Sequence, residues 1–344
     1  MKDHTLEPSI ESVTTDMLNI NLKVPKSMEE RIITRIHLSA SEYEKTPFRK
    51  NGYQYAIPLL FEIDDRHKDK RQLFCVNHYR NNRPFVHISL NPSGLAKKEI
   101  KEIASSLKYL LGDEVYESLY TEGKVSRLDI ACDIKNIIFE DLVFNRNRQR
   151  SSGYYNVGPD GHIGSVYLGN KDSNLRYRIY DRNLKNKSKG IIPKPYPVTR
   201  IEAEIKETLT LCDIHKVNNP FTGFGIYKIS HLVDDNRIPL SFCDSIYRRG
   251  LTGALQMLSE AERKEVDTLL TEHAFKVSPS EDIFNLWVNE SNALLKRLCP
   301  QKKKKGSTFR KRKMGFMNLR PTKMTDKEIE EDMRIHKLLL ANGY

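Results

Sequence analysis

The sequence lacks the features that mark secreted, disulfide-bonded and membrane-spanning proteins. Its five cysteines are odd in number, lie far apart and include no Cys-x-x-Cys pair, so neither a disulfide framework nor a zinc knot is indicated. No stretch approaches the ~18 apolar residues that a transmembrane helix needs. Residues 1–16 are polar and acidic, without the apolar run of a secretory signal. We therefore expect a cytoplasmic protein with reduced cysteines and no membrane partner.

Excess positive charge is almost absent outside one segment. Residues 301–324 hold ten Lys and Arg and no acid, and they account for ten of the twelve net positive charges of the 344-residue chain. Such a run is typical of a solvated segment that binds polyanions, with nucleic-acid phosphate as the favoured ligand. A merely solubilising segment is the alternative. The phosphate-binding candidates in this segment are Lys302, Lys303, Lys304, Lys305, Arg310, Lys311 and Arg312.

Short β-rich runs separated by polar turns predict an α+β fold, in which an antiparallel sheet with flanking helices carries the active site and a helical C-terminal region follows. The first group of runs spans 54–63, 72–79 and 84–90, and an amphipathic helix near 100–111 follows it. The second group comprises 125–134, 165–169, 177–182 and 198–205.

The change of pattern along the chain predicts five segments. They are an irregular N-terminal segment (1–30), an α+β catalytic domain (31–206), a helical region for DNA recognition (207–299), a basic linker (300–324) and a C-terminal helix (325–344). Capping patterns support the helices, as at Ser259 and Glu262, where a serine precedes a glutamate by three residues.

Polar side chains alternate with apolar ones along three runs of the second group. Because residues two apart in a strand share a face, each run has one charged face and one apolar face. The charged faces hold Arg127, Asp129 and Asp133; Arg176, Arg178, Tyr180 and Arg182; and Arg200, Glu202 and Glu204. Tyr177 falls on the opposite face from Tyr180.

If the three runs are neighbours in a sheet, their charged faces form one cluster. Clustered carboxylates repel one another unless a cation lies among them, and all-oxygen ligation suits Mg²⁺ or Mn²⁺. Adjacent arginines favour a phosphate ligand, and together with the metal they would favour the phenolate of Tyr180, which makes it a candidate nucleophile. A solvated sheet face with ordinary ion pairs is the alternative for each run taken alone.

The three runs resemble motifs of a known family. VSRLDIACDI, SVYLGNKDSNLRYRIYDRNLK and VTRIEAEI are similar, in this order, to the Arg-x-Asp-x-x-x-Asp, Ile-Arg-Ile-Tyr and Arg-x-Glu motifs of rolling-circle replication initiators of the plasmid Rep_trans (replication initiation factor) type, with related relaxases and phage initiators. NPSGL at 91–95 resembles the family's Asn-Pro-x-x-Leu turn. The chain departs from the family at Asn170 and Asp172, where Ser-Arg-Lys is usual, and it lacks the histidine pair of better-known relaxases.

The resemblance implies an enzyme that nicks one DNA strand at an origin, leaves a 5′-phosphotyrosyl intermediate and a 3′-OH primer, and rejoins the strand. It implies that Tyr180 is the nucleophile. Arg178, on the same strand face, is the candidate catalytic phosphate contact, and a structural salt bridge to the neighbouring carboxylates is the alternative for Arg178 and Arg127. The resemblance further implies that Asp129 and Glu202, completed by Asp133 or Glu204, hold the metal.

The remaining phosphate candidates in the sheet are Arg127, Arg176 and Arg200. The implied partner is origin DNA, single-stranded or in a cruciform or supercoiled form, in a bacterial host. A helicase, host replication proteins and a second copy of the chain are further candidate partners.

Two other function classes stay open on the sequence. A tyrosine recombinase also uses arginine and tyrosine on DNA, but the sequence contains no His-x-x-Arg and such an enzyme needs no carboxylate cluster. The second class is a repressor, which binds DNA through its helical half and catalyses no reaction. Formation of a covalent protein–DNA adduct separates the enzyme from the repressor.

Overall fold

The structure is a computed structural model that describes residues 8–42, 48–50, 52–60, 72–78, 85–146, 153–157, 163–222, 224–234, 237–272 and 280–299. The predicted basic linker and C-terminal helix therefore lie outside the described residues. So do its phosphate-binding candidates, Lys302 to Arg312.

One large antiparallel sheet organises the described part of the chain. Its strands are β1 (Ser9–Lys23), β2 (Phe48–Lys50), β3 (Tyr53–Pro58), β4 (Leu73–His78), β5 (Phe85–Leu90), β6 (Lys124–Lys135), β8 (Gly153–Val157), β9 (Ile163–Leu168), β10 (Leu175–Asp181), β11 (Val198–Ile205) and β12 (Leu209–Thr210). The order is β2-β3-β4-β5-β1-β6-β11-β10-β9-β8, and β12 pairs with β6. The predicted α+β class with an antiparallel sheet is confirmed.

Helices cover one face of this sheet. They are α1 (Lys26–Glu42), α2 (Lys97–Leu111), α3 (Asp113–Glu122) and, from the C-terminal region, α8 (Ser280–Leu298). Trp287 of α8 is fully buried, and its indole N–H donates to Thr15 Oγ1 at 3.2 Å. A buried indole with its N–H satisfied fixes the position of the helix as well as its depth. The helix α8 therefore packs on β1, in the main core.

The remaining C-terminal elements form a second apolar core. Strands β7 (Leu142–Arg146) and β13 (Phe224–Lys228) pair with each other, and helices α5 (Ile229–Asp234), α6 (Leu240–Leu255) and α7 (Glu260–Glu272) follow. Ser259 and Glu262 form the predicted capping box at α7, with Ser259 N donating to Glu262 Oε2 at 2.8 Å. The predicted domain boundaries remain predictions. None of the described helices is long and apolar enough to span a bilayer.

Strand β1 lies at the centre of the sheet, between β5 and β6. The prediction that residues 1–30 are irregular is therefore wrong for β1 and for the start of α1. Leu18, Ile20 and Leu22 alternate with polar residues and are at most 1% exposed, which is the pattern of a half-buried strand. That signal is present in the sequence.

Candidate functional site

The open face of the sheet brings the three charged runs together. Strand β11 lies between β6 and β10, with Glu204 opposite Asp129 on one side and Glu202 opposite Arg178 on the other. The central residue of β6 on this face is Ala131, which is paired with Glu202. The small side chain of Ala131 leaves room between the flanking carboxylates. A short helix, α4 (Arg182–Lys187), continues directly from β10.

Each aspartate of β6 is held by one arginine fork. Arg127 donates from Nε and Nη2 to Asp129 at 2.8 and 2.6 Å, and its Nη2 lies 3.1 Å from Glu204. Arg200 donates from Nε and Nη2 to Asp133 at 2.6 and 2.7 Å. Such bidentate pairs combine charge with fixed geometry. Asp133 and Arg200 are both buried, so this second pair is closed to solvent.

Tyr180 is enclosed by charged side chains of the open face. Its hydroxyl donates to Glu202 Oε1 and accepts from Lys185 Nζ at 2.6 Å. Arg182 Nη1 lies 3.5 Å from the same oxygen, and the Arg178 guanidinium lies 4.9 Å from the ring centroid. A single phenol oxygen is thus shared between a proton acceptor and a cation.

Burial dominates the titration of this cluster. It raises the pKa of Tyr180, and the charge of Glu202 raises it further, while Arg200 opposes the change. Burial also lowers the pKa of Lys185 to about 8. The arginines alone therefore do not stabilise the phenolate of Tyr180 as the sequence predicts. A cation that took up the charge of Glu202 would remove the second cause.

Asp129 is a buried carboxyl with a raised pKa. Burial raises its pKa to about 6; Arg127 opposes this shift, and the charges of Glu204 and Glu202 add to it. Burial is thus the main cause of the raised pKa of Asp129, and the neighbouring carboxylates contribute less.

Tyr177 lies on the helix-covered face, as the alternation predicts. Its hydroxyl donates to the carbonyl of Pro220, and its ring centroid lies 4.7 Å from that of Phe224. Tyr167 of β9 lies opposite Arg178, on the open face, with the Arg176 guanidinium 4.5 Å from its ring centroid. The side chains of Tyr154 and Tyr155, which are alternative candidates for the nucleophile, lie outside the described set.

Two charged residues of the site escaped the sequence analysis. Asp16 of β1 lies 3.2 Å from Arg200 Nη1 and accepts from Ser93 Oγ at 2.6 Å. The hydrogen bond from Ser93 and the charge of Arg200 outweigh burial and lower the pKa of Asp16. Lys185 of α4, which contacts the Tyr180 hydroxyl, is the second charged residue that the sequence does not predict. Ser93 belongs to the NPSGL turn, so the turn predicted from the family likeness is joined to the cluster through Asp16.

The donor chemistry of the open face suits a hard divalent cation, since the candidate ligands are carboxylates. Among the described residues, however, no three acidic, His or Cys side chains are gathered closely enough to hold a metal ion. Asp129 and Glu204 contact Arg127, and Asp133 contacts Arg200. A cation would have to displace an arginine from at least one carboxylate.

Comparisons with known proteins give a distant structural likeness. No protein family and no curated protein matches the sequence. One solved structure that resembles the chain is that of a rolling-circle replication initiator protein from Geobacillus stearothermophilus. The match has 14% sequence identity and a TM-score of 0.37, and covers 72% of this chain and 99% of that one.

Proposed function

We propose that this protein is a DNA strand transferase of the replication-initiator type that nicks and rejoins one strand through Tyr180. The observation that carries the proposal is the shared phenol oxygen, which contacts the carboxylate of Glu202 and the ammonium of Lys185. A nucleophilic hydroxyl needs a group to accept its proton and a positive charge to stabilise the oxygen that remains. The Tyr177 hydroxyl instead donates to a backbone carbonyl, which cannot serve as a general base.

The chemistry follows from these contacts. The Tyr180 oxygen attacks a backbone phosphorus and forms a phosphotyrosyl bond to the 5′ side, while the bond from phosphorus to the 3′ oxygen breaks. The phenol proton passes to Glu202, and the departing 3′ oxygen takes up a proton to become the 3′-OH. Attack by that hydroxyl on the phosphotyrosyl bond reverses the step and rejoins the strand.

Arg178 is the phosphate contact that the surroundings favour most. Its side chain is 40% exposed and lies 4.0 Å from Glu202, at the limit of an ion pair. Its Nε is buried and has no hydrogen-bond partner among the described residues. A buried donor without a partner is costly, so it favours an anionic ligand. Arg127 and Arg176 lie on the same face, whereas Arg200 would have to leave Asp133 to bind phosphate.

A divalent ion, Mg²⁺ or Mn²⁺, is part of the proposal. Asp129 and Glu204 lie opposite each other on neighbouring strands, and Glu202 has a second oxygen that does not face Tyr180. These three would hold the ion only after Arg127 released Asp129 and Glu204. Asp133 is the poorer candidate because Arg200 occupies both of its oxygens. When bound, the ion would stabilise negative charge on the attacked phosphate.

Access to the tyrosine is a condition of this proposal. Tyr180 is only 2% exposed, and Lys185 of α4 lies 3.9 Å from the centroid of its ring. A phosphate therefore meets the hydroxyl only after the Lys185 side chain moves off the ring, with its ammonium still near the phenol oxygen. The phosphate would offer Lys185 a new partner, so the displacement does not leave the ammonium unpaired.

A gel assay for a covalent adduct tests the function. Single-stranded fragments of DNA from the element that carries the gene are incubated with the protein and Mn²⁺, and the products are separated under denaturing conditions. We expect a shifted protein band, a free 3′-OH end on the released fragment and an adduct peptide that contains Tyr180. A protein that binds these DNAs and never forms an adduct would instead act as a repressor.

A further inference from the structure

The loop after α4 presents two isoleucines to solvent beside the candidate nucleophile. Ile191 is 52% exposed and Ile192 is 89% exposed, and Leu184 of α4 is 50% exposed. Three large apolar side chains within nine residues form an apolar surface where α4 meets its loop, and such surfaces mark binding sites more often than single exposed residues do. The loop, residues 188–197, is called the isoleucine loop below.

The isoleucine loop is held at both ends. At its start, Ile191 N donates to the carbonyl of Asn186 in α4 at 2.9 Å. The Asn183 side chain donates to the carbonyls of Lys194 at 3.2 Å and Tyr196 at 2.7 Å, and it accepts from Lys194 N at 3.0 Å. The Tyr196 hydroxyl donates to Glu11 of β1 at 2.9 Å. Prolines alternate with other residues through 193–197 and restrict the backbone further. The exposed isoleucines thus stand on an anchored support.

The position of the isoleucine loop and the charges around it indicate the ligand that it binds. The six-residue helix α4 begins right after β10 and spans ~9 Å, so the loop follows the strand that carries Tyr180 after one short helix. Lys187 and Lys189 are exposed just before the isoleucines. Lysines beside an apolar tip match DNA, in which charged phosphates flank apolar base faces.

We propose that Ile191 and Ile192 form a wedge that packs against DNA bases beside the attacked phosphate and unstacks them. Exposed apolar side chains that enter a base step are a known means of opening DNA, and the flanking lysines hold the backbone. Unstacking would free the strand to reach Tyr180, which lies below the surface. This inference rests on the proposed function, because it assigns the loop to the same DNA strand.

Base unstacking is measured without cleavage. A forked DNA carries a fluorescent base analogue at its junction, and the emission of this analogue rises when it loses its stacking neighbours. Full-length protein with Tyr180→Phe binds this DNA at saturating concentration. The test variant adds Ile191→Ser and Ile192→Ser, and the matched control adds Leu240→Ser, which removes a side chain that is 68% exposed on α6.

We expect the control to keep the emission increase and the double isoleucine variant to lose most of it, by at least about threefold. Lys187→Gln with Lys189→Gln should weaken binding and still give the full increase at saturation. A full increase in the double isoleucine variant would overturn the proposal. If the emission increase stays full and the double isoleucine substitution converts a wild-type dimer into monomers in sedimentation, the loop is instead a contact between two copies.

Cleavage separates this inference from the proposed function. With Tyr180 intact, the double isoleucine variant should nick single-stranded DNA within about twofold of wild type and a duplex at least about tenfold more slowly. Equal loss on both substrates would refute the wedge. If wild-type protein forms no adduct with any DNA, the nicking function fails, and the emission experiment still decides whether the loop unstacks bases.

Discussion

The two faces of strand β10 place two buried tyrosines in opposite chemical surroundings. Tyr177 is fully buried and donates to a backbone carbonyl among aromatic rings. Tyr180 is 2% exposed and contacts a carboxylate and an ammonium. Burial alone therefore does not distinguish a structural phenol from a candidate nucleophile. The charge of the partners does, because Tyr180 contacts a carboxylate that accepts a proton and an ammonium that stabilises an oxyanion, whereas the Tyr177 hydroxyl donates to a backbone carbonyl.

Removal of each hydroxyl tests this comparison most directly. We expect Tyr180→Phe to abolish the covalent adduct, because the ring stays in place and only the attacking oxygen is lost, and to bind DNA nearly as well as wild type. Tyr177→Phe should keep most of the activity and lose about 1 kcal/mol of stability, since a buried carbonyl loses its donor. Adduct gels and urea unfolding provide the measurements. An adduct peptide that contains Tyr177 would reverse the assignment.

The carboxylates around Tyr180 provide the second test. Glu202→Gln removes the proton acceptor and Asp129→Asn removes a proposed metal ligand, so each should reduce cleavage at least about a hundredfold while the protein remains folded. EDTA should have the same effect on wild type, and added Mn²⁺ should restore activity. Circular dichroism is the control for folding. Cleavage that survives EDTA would remove the metal from the mechanism and leave Glu202 as the base.

Alternation in the sequence was sufficient to predict the face of each charged residue in β6, β10 and β11. A strand has a strict period of two, so the assignment of Tyr177 and Tyr180 to opposite faces needed no knowledge of the fold. The order of the strands was not predictable in this way. Placing β11 between β6 and β10 depends on how the chain returns after α4, and the charged cluster exists only because of that order.

Asp16 shows why part of the site could not be predicted. The alternation of Leu18, Ile20 and Leu22 would place Asp16 on the apolar face. The pairing of β1 with β6 shifts register between Thr15 and Met17, and Asp16 lies at this irregularity, in contact with Arg200. A bulge inserts one residue and reverses the faces beyond it, which a periodic pattern does not reveal.

Lys185 escaped prediction for a different reason. It reaches Tyr180 because α4 begins immediately after β10, where Asp181 accepts a hydrogen bond from Leu184 N at 3.0 Å and caps the helix. The β-rich run at 177–182 predicts a strand here and does not place Lys185 in a helix. An aspartate N-cap directly after a strand was the available signal.

Substitution of two arginines of the open face should affect different properties, stability for Arg200 and DNA binding for Arg178. Arg200 is 4% exposed and forked on Asp133, so Arg200→Ala should destabilise the protein by about 3–5 kcal/mol by leaving a buried charge unpaired. Arg178→Ala should change stability by no more than about 0.5 kcal/mol and weaken DNA binding, because this side chain is 40% exposed. Urea unfolding and DNA titration measure the two effects. A stable Arg200→Ala protein with weak DNA binding would make Arg200 the phosphate contact.

The smallest expected effect is a pH dependence that separates stability from activity. Burial raises the pKa of Asp129 to about 6 from its ordinary value of 3.8. A carboxyl with a raised folded-state pKa favours folding most at pH values below its unfolded pKa, and it loses that contribution as pH rises through the folded pKa. The folded state should therefore lose stability through Asp129 between about pH 4 and pH 6 as the pH rises.

Activity should change in the opposite direction over the same range, because an ionised Asp129 is needed to bind the cation. At subsaturating Mn²⁺, cleavage should fall about tenfold for each pH unit below 6, while urea unfolding of the metal-free protein shows the Asp129 contribution to stability growing. Asp129→Asn is the matched control, and the difference in stability between the two proteins should lose its pH dependence above about pH 6. A cleavage rate that stays constant from pH 7 to about pH 5, with subsaturating Mn²⁺, would show that Asp129 does not ionise to bind the metal. Its raised pKa would then belong to a structural carboxyl held by Arg127, and the chemistry of the open face would rest on Glu202 and Tyr180.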